Sequence, residues 1–202
     1  MLDVPAGGGC LRNYLNNERY SSVGYSGFDF SKGFVKQSPI KLCTESHIPA
    51  EDSHFDAAVC LAALHHVEDR VGFFVELLRT LKTGGQLLVG DVMSDSKEAV
   101  FLNCFVNDWN SLGHKGDFLC FDRDVPLLQK VGFSTKTMIK NYLWSFDSEA
   151  ACHDYLRLLF ALDKTPSETL LNNAIAKLGT KESSTRFHLH WSLGFIVAAK
   201  LL

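Results

Sequence analysis

The residues able to do chemistry are spread along the chain in small groups. Asp3 stands just ahead of a glycine run, Gly7-Gly8-Gly9, and a second acid, Asp29, closes the next strand-like stretch. Three glycines directly after a strand let the backbone approach a ligand closely, because no Cβ intervenes and positive φ costs little. The amides that open the following helix face such a ligand. A carboxylate at a strand end, as at Asp29, can accept hydrogen bonds from a pair of sugar hydroxyls. For proton transfer the candidates are His65, His66, Asp91 at another strand end, and His114. His188 and His190 alternate along a strand facing solvent or a neighbouring helix, and a His-x-His pair alone does not make a metal site, so no metal is expected.

Alternating strand and helix signals must position these groups. After the glycines, Leu11, Tyr14 and Leu15 predict a short helix that ends at Asn16-Asn17. Val23 to Phe30 predicts a second strand, and Ile40 to Thr44 a third, joined by a connection too short for a full crossover helix. Phe55 to Leu61 is a continuous apolar run, the pattern of a strand covered on both faces. Val71, Phe74, Leu78 and Leu81 predict a helix stopped by Gly84-Gly85, followed by a strand from Gln86 to Val89. This repeated βαβ pattern predicts an α/β fold with a doubly wound, mostly parallel sheet.

Beyond Asp91 the pattern changes. Phe101, Phe105, Trp109 and Leu112 make one helical stripe, and Asp122 or Asp124 can cap a helix that ends at Gly132. Phe133 to Trp144 and Arg186 to Ala199 predict strands, with two helices between them. The second of these starts at a capping box, Thr165-Pro166-Ser167-Glu168, with proline at the first helical position, and its apolar face is Leu171, Ala174, Ile175 and Leu178.

The 202 residues suit a single domain, 1–202, within which 92–132 forms a variable lid and 147–180 a helical insertion. With 20 basic against 23 acidic residues there is no basic field for nucleic acid. The six cysteines lack CxxC spacing and suit small reduced core residues of a cytoplasmic protein. No apolar run approaches the ~20 residues of a membrane span. Composition leaves the oligomeric state open.

Five segments in order carry a family resemblance. Leu2-Asp3-Val4-Pro5-Ala6-Gly7-Gly8-Gly9 resembles the first motif of the class I S-adenosylmethionine-dependent methyltransferases, with Pro5 where that motif has a glycine. Gly27-Phe28-Asp29-Phe30-Ser31 resembles the second motif, and the segments His47–Val59, Leu64–Asp69 and Leu81–Val89 resemble the family's three later ones. The resemblance implies a Rossmann-like seven-stranded sheet with an antiparallel C-terminal strand, and S-adenosylmethionine as cofactor. It implies that Asp29 holds the ribose, that Asp3 orients the methionine ammonium, and that Ala6, Gly7 and Gly9 line the pocket with Leu61 beneath. Thr44 aligns with the family's adenine-contacting acid, and the neighbouring Glu45 can stand in for it. Family members usually carry helices before the first strand, which here starts at Leu2, so those helices are expected to be missing.

The expected function is methyl transfer to a small-molecule acceptor, since the stretch after Asp91 is aromatic and not basic. A catalytically degenerate binding or regulatory module on the same fold is the alternative. An NAD(P)-dependent oxidoreductase is a weaker rival, because Arg12 stands where its third glycine belongs.

Overall fold

A computed structural model describes residues 1–16, 18–36 and 39–201. Asn17, expected at the end of the first helix, lies outside them. In chain order the elements are β1 (Leu2–Asp3), α1 (Cys10–Leu15), β2 (Ser26–Asp29), α2 (Lys32–Val35), β3 (Lys41–Leu42), β4 (Phe55–Leu61), α3 (Arg70–Thr80) and β5 (Leu81–Asp91). Next come α4 (Lys97–Val100), a π-helical segment (Phe101–Val106), α5 (Asn107–Trp109), α6 (Phe121–Val131), β6 (Phe133–Phe146), α7 (Glu149–Leu159), α8 (Glu168–Leu178), β7 (Thr180–Glu182) and β8 (Phe187–Lys200).

The sheet is Rossmann-like and runs β3-β2-β1-β4-β5-β8-β6, with β7 paired to β8. Strands β1 to β5 are parallel and β8 is antiparallel to β5. Among the described residues the sheet has eight strands rather than seven, because Thr180 to Glu182 forms a short strand against Phe187 to Leu189. Nothing in its polar sequence marks it as a strand; the partner's edge recruits it.

The chain divides into two compact units. The first comprises residues 1–91, 119–138 and 194–202. Its central strands carry the apolar run that a doubly covered strand needs: Leu2, Ala58, Cys60, Leu87 and Val89 are all buried. From α3, Phe73, Phe74 and Leu77 pack fully buried. This helix ends at Thr80 and not at Gly84-Gly85. Leu81 has already turned to extended backbone (φ −80°, ψ 140°) and pairs with Phe55, and the ladder resumes only at Ala57 opposite Gln86. The intervening residues bulge out, with Gly84 at φ +73°, so the glycines serve a bulge and not a helix stop.

An ion pair joins α3 to α6 in this unit. The Arg70 guanidinium meets both Asp124 oxygens at 2.6 and 2.7 Å, and Asp124 also accepts the Cys120 amide at 2.8 Å. The N-cap of α6 is thus Cys120, without a side-chain cap bond, and neither Asp122 nor Asp124 occupies that position; Asp124 sits inside the helix and reaches back to the N-cap amide.

The second unit comprises residues 92–118 and 139–193. Phe101, Phe118, Leu156, Leu171, Ile175, Leu178 and Trp191 belong to its core, with Phe105, Trp109 and Trp144 packed against it. The aromatic stripe thus lies inward, except Leu112, which falls past the end of α5 and is 95% exposed. Helix α8 buries the apolar face expected of it, but its cap is Ser167, whose hydroxyl accepts the Leu170 amide, so Pro166 precedes the helix. Of the cysteines, Cys43, Cys60 and Cys152 are buried, whereas Cys10 and Cys104 are exposed. No helix of the described residues is long and apolar enough to cross a membrane.

Candidate cofactor site

The site forms in the first unit where β1, β2, β4 and β5 end. Strand β1 is only two residues long, yet both are buried, and its register against Ser26-Gly27 and Ala58-Val59 holds it in the sheet centre. The chain then continues the ladder through Val4, whose amide donates to the Val59 carbonyl at 3.0 Å, and Ala6, whose amide donates to Phe28 at 2.8 Å. Gly7 and Gly9 take positive φ, +52° and +75°, a conformation that favours glycine. A Cβ placed on Gly7 or Gly8 would meet nothing within 4 Å, so the turn borders open space.

Asp29 ties this turn to the end of β2. It is 4% exposed; its Oδ2 accepts the Gly7 amide at 2.8 Å and its Oδ1 the Ser31 amide at 2.7 Å. An ionised carboxylate has about four acceptor positions, so two remain for a ligand's hydroxyls. The backbone turn and Asp29 are therefore one hydrogen-bonded unit, and the residue types present fit an adenosine ribose beside open backbone.

Asp3 is placed differently from what a bare ligand-facing acid would be. It is buried, and its Oδ2 accepts the hydroxyl of Tyr25 at 2.7 Å. Burial is the largest influence on its carboxyl and raises its pKa; the Tyr25 bond pulls the other way, and nearby Asp29 raises it further. The Tyr25 hydroxyl fits because Gly27 has no side chain. A Cβ there would come within 2.8 Å of the hydroxyl and 2.4 Å of Ile40 Cδ1.

A carboxyl whose folded-state pKa is raised stabilises the fold in acid, where it is protonated, and that contribution is lost as pH rises through the folded value. Ionised Asp3 therefore weighs against folding at neutral pH. The expected result is that Asp3→Asn, which still accepts the Tyr25 bond, melts higher than the parent at pH 7.5, and that this advantage shrinks towards pH 4. Thermal melts at both values check it; an Asn variant that melts lower at pH 7.5 refutes it.

The remaining expected cofactor residues separate into two groups. Thr44 forms a tight bridge with His47, its amide donating to the His47 carbonyl at 3.0 Å. Glu45 turns to the entry of α3, where its two oxygens accept the amides of Glu68 and Asp69 at 3.0 and 2.7 Å. Leu61, at the end of β4, is 42% exposed, an unusual position for a leucine that continues a buried strand. The loop before β4 is held from below. Glu76 accepts the Ile48 amide at 2.7 Å, and Arg79 donates to the carbonyls of Ile48 and Ala50.

His65 and Asp91 come together. Asp91 is fully buried and its oxygens lie 3.0 and 2.9 Å from His65 Nδ1, while Oδ2 also accepts the His65 amide at 3.1 Å. The short 3₁₀ turn Leu64–His66 presents this ring, and His66, exposed, lies with its ring centroid 4.0 Å from that of His65. Tyr25 and Ile40 are the site residues that sequence reasoning missed. Neither carries a local signal, since each acts on residues that only sheet pairing brings beside it.

Residues 2–89 match the methyltransferase domain family. That match covers less than half of the chain. Domains of that family use S-adenosylmethionine; the glycine turn, Asp3 and Asp29 fall within the matched residues, and Asp91 lies just beyond them. Among curated proteins, the ubiquinone/menaquinone biosynthesis C-methyltransferase UbiE of Geobacter sp. strain M21 is 28% identical over 102 residues, covering 44% of this chain and 43% of that protein. The tRNA U34 carboxymethyltransferase of Nautilia profundicola is 32% identical over 76 residues, 37% of this chain and 25% of that protein. The aligned stretch thus spans less than half of each curated relative. In fold, the chain resembles the YcgJ protein of Bacillus subtilis, with a TM-score of 0.64 at 18% identity over 100% of this chain and 91% of that one. It also resembles an S-adenosylmethionine-dependent methyltransferase of Methanosarcina mazei, with a TM-score of 0.56 at 18% identity over 100% of this chain and 92% of that one.

Proposed function

We propose that the protein transfers a methyl group from S-adenosylmethionine to a small-molecule acceptor. The observation that carries this reading is the bond from the Gly7 amide to Asp29, which joins the glycine turn and the ribose-holding acid into one preformed cradle. In this reading Asp29 takes the ribose hydroxyls and Ala6, Gly7 and Gly9 offer backbone. Asp3 meets the methionine ammonium in exchange for the Tyr25 hydroxyl. Leu61 lies beneath the nucleoside, and Thr44 takes an adenine hydrogen bond while Glu45 holds the loop.

Bound S-adenosylmethionine supplies an already activated methyl group, so the chain's own task is chiefly orientation. Where the acceptor carries a proton, His65 takes it. Asp91 accepts from Nδ1–H and so fixes the tautomer that leaves Nε2 as the base, the arrangement that orients a general base in hydrolytic triads. His66, exposed beside it, contacts the acceptor. The net charge of −3 favours a small acceptor over tRNA.

Calorimetric titration with S-adenosylmethionine and with S-adenosylhomocysteine is the direct test, and both are expected to bind. Absence of heat with either at millimolar concentration would falsify the cofactor assignment. With binding in hand, release of S-adenosylhomocysteine is measured against a panel of small phenols, amines and acids and against bulk tRNA. Asp91→Asn should lower turnover by about 10²–10⁴-fold while cofactor affinity holds. Turnover on tRNA alone would replace the small-molecule reading, and cofactor binding without turnover on any acceptor would favour the non-catalytic module.

A further inference from the structure

A cavity of about 210 Å³ lies wholly within the second unit, between the α4 and π-helical segment and α8. Its lining includes Val100, Phe101, Cys104 and Phe105 on one side and Lys177 on the other, with Lys97 at the rim. Three features make it unlike an ordinary surface dent. The backbone there widens, the Asn107 amide reaching the Leu102 carbonyl five residues back, and single wide turns of this kind are frequent at functional sites. Phe101 and Phe105 stack with centroids 5.4 Å apart and planes at 17°, which presents a flat apolar wall. Both charged lining residues are lysines, and among the described residues no carboxylate lines the cavity.

The lysines differ in freedom. Lys97 Nζ donates to the Leu178 carbonyl at the end of α8, so its charge is held at the rim. Lys177 is exposed. Glu98, the acid next to Lys97, is buried and turned away, accepting both the amide and the hydroxyl of Ser192 at 2.9 Å. The positive rim is therefore not neutralised by its sequence neighbour.

We infer that this cavity binds a small amphipathic carboxylate, its short aliphatic body against the phenylalanine wall and its head between Lys97 and Lys177. The volume holds roughly seven water-sized groups at about 30 Å³ each, which suits a body of six to eight carbons. Two cations over an apolar floor favour an anion with a tail over a neutral or cationic amphiphile of equal size.

Cys104 gives a reporter, because it is a free, exposed thiol in the lining, and Cys10 is a free, exposed thiol in the other unit. Alkylation of both by iodoacetamide is monitored by peptide mass spectrometry with increasing octanoate. Octanoate is expected to slow Cys104 at least about threefold, saturably, while Cys10 reacts at an unchanged rate. Octanol, octylamine and inorganic phosphate should not protect. Lys177→Glu should weaken protection about tenfold, the worth of a charge-assisted hydrogen bond. Val100→Trp, at a position 62% exposed and so compatible with folding, should abolish it by filling the mouth. Equal protection by octanol would leave only an apolar dent, equal protection by phosphate only a lysine pair, and no protection at millimolar octanoate would overturn the site.

Discussion

Replacing Asp29 with alanine should weaken S-adenosylmethionine binding by about 10–100-fold and lower the protein's stability as well. Both effects come from one buried carboxylate. Its oxygens receive the amides of Gly7 and Ser31 at 2.8 and 2.7 Å, and such charge-assisted bonds contribute about 1.5–3 kcal/mol each. Alanine leaves both amides without an acceptor and removes what holds Gly7 at φ +52°. The open turn then has to be ordered by the ligand, which costs affinity beyond loss of the ribose contact proposed for Asp29. Calorimetry and denaturant unfolding of the same variant check the two arms. Affinity lost with stability unchanged would mean that Asp29 serves the ligand only. Stability lost with affinity intact would remove it from the ribose.

A larger stability effect is expected at the α3–α6 ion pair. Asp124→Ala should destabilise the protein by about 3–5 kcal/mol, because it strands the Arg70 charge where water cannot reach it. Arg70 is 6% exposed and Asp124 is fully buried. Asp124 also accepts from the Cys120 amide and from Arg123 Nε at 3.0 Å, so truncation loosens the α6 entry too. For a chain of this length that corresponds to a fall in melting temperature of about 6–20 °C. The double change Arg70→Met with Asp124→Leu should recover most of the loss, since apolar packing of similar volume replaces buried ion pairs at little net cost. If the double variant melts no higher than Asp124→Ala, the loss lies in the helix entry and not in the unpaired charge.

These two sites differ in how far they could be read from sequence. Asp29 is legible because a strand-ending acid that follows a glycine turn is a pattern carried by a few neighbouring residues. Asp124 is legible only as a candidate helix cap. Its partner lies 54 residues away, and no local rule says that Arg70 will be buried against it. The same holds for Tyr25, 22 residues from the Asp3 it caps.

Two element boundaries are set by the sheet and not by local sequence. The end of α3 and the start of β5 look like a glycine helix stop, but burying Leu81 opposite Phe55 draws the chain into the sheet earlier. Thr180 to Glu182 has no strand signal at all and is extended because β8 offers it an unpaired edge. Backbone pairing outweighs weak local preference in both places.

By itself, then, the order of apolar runs, glycines and acids determined the parallel βαβ sheet, the likeness to methyltransferase domains and the glycine turn after β1, because each depends on periods and turns that a few adjacent residues encode. Tertiary structure alone decided that Asp3 is engaged by Tyr25, that Glu45 serves the α3 entry, that His65 is held by Asp91, and that two lysines rim an apolar cavity beside a widened helix turn. Those are meetings of side chains far apart in sequence, and only the packing of the sheet and helices brings them within hydrogen-bonding range.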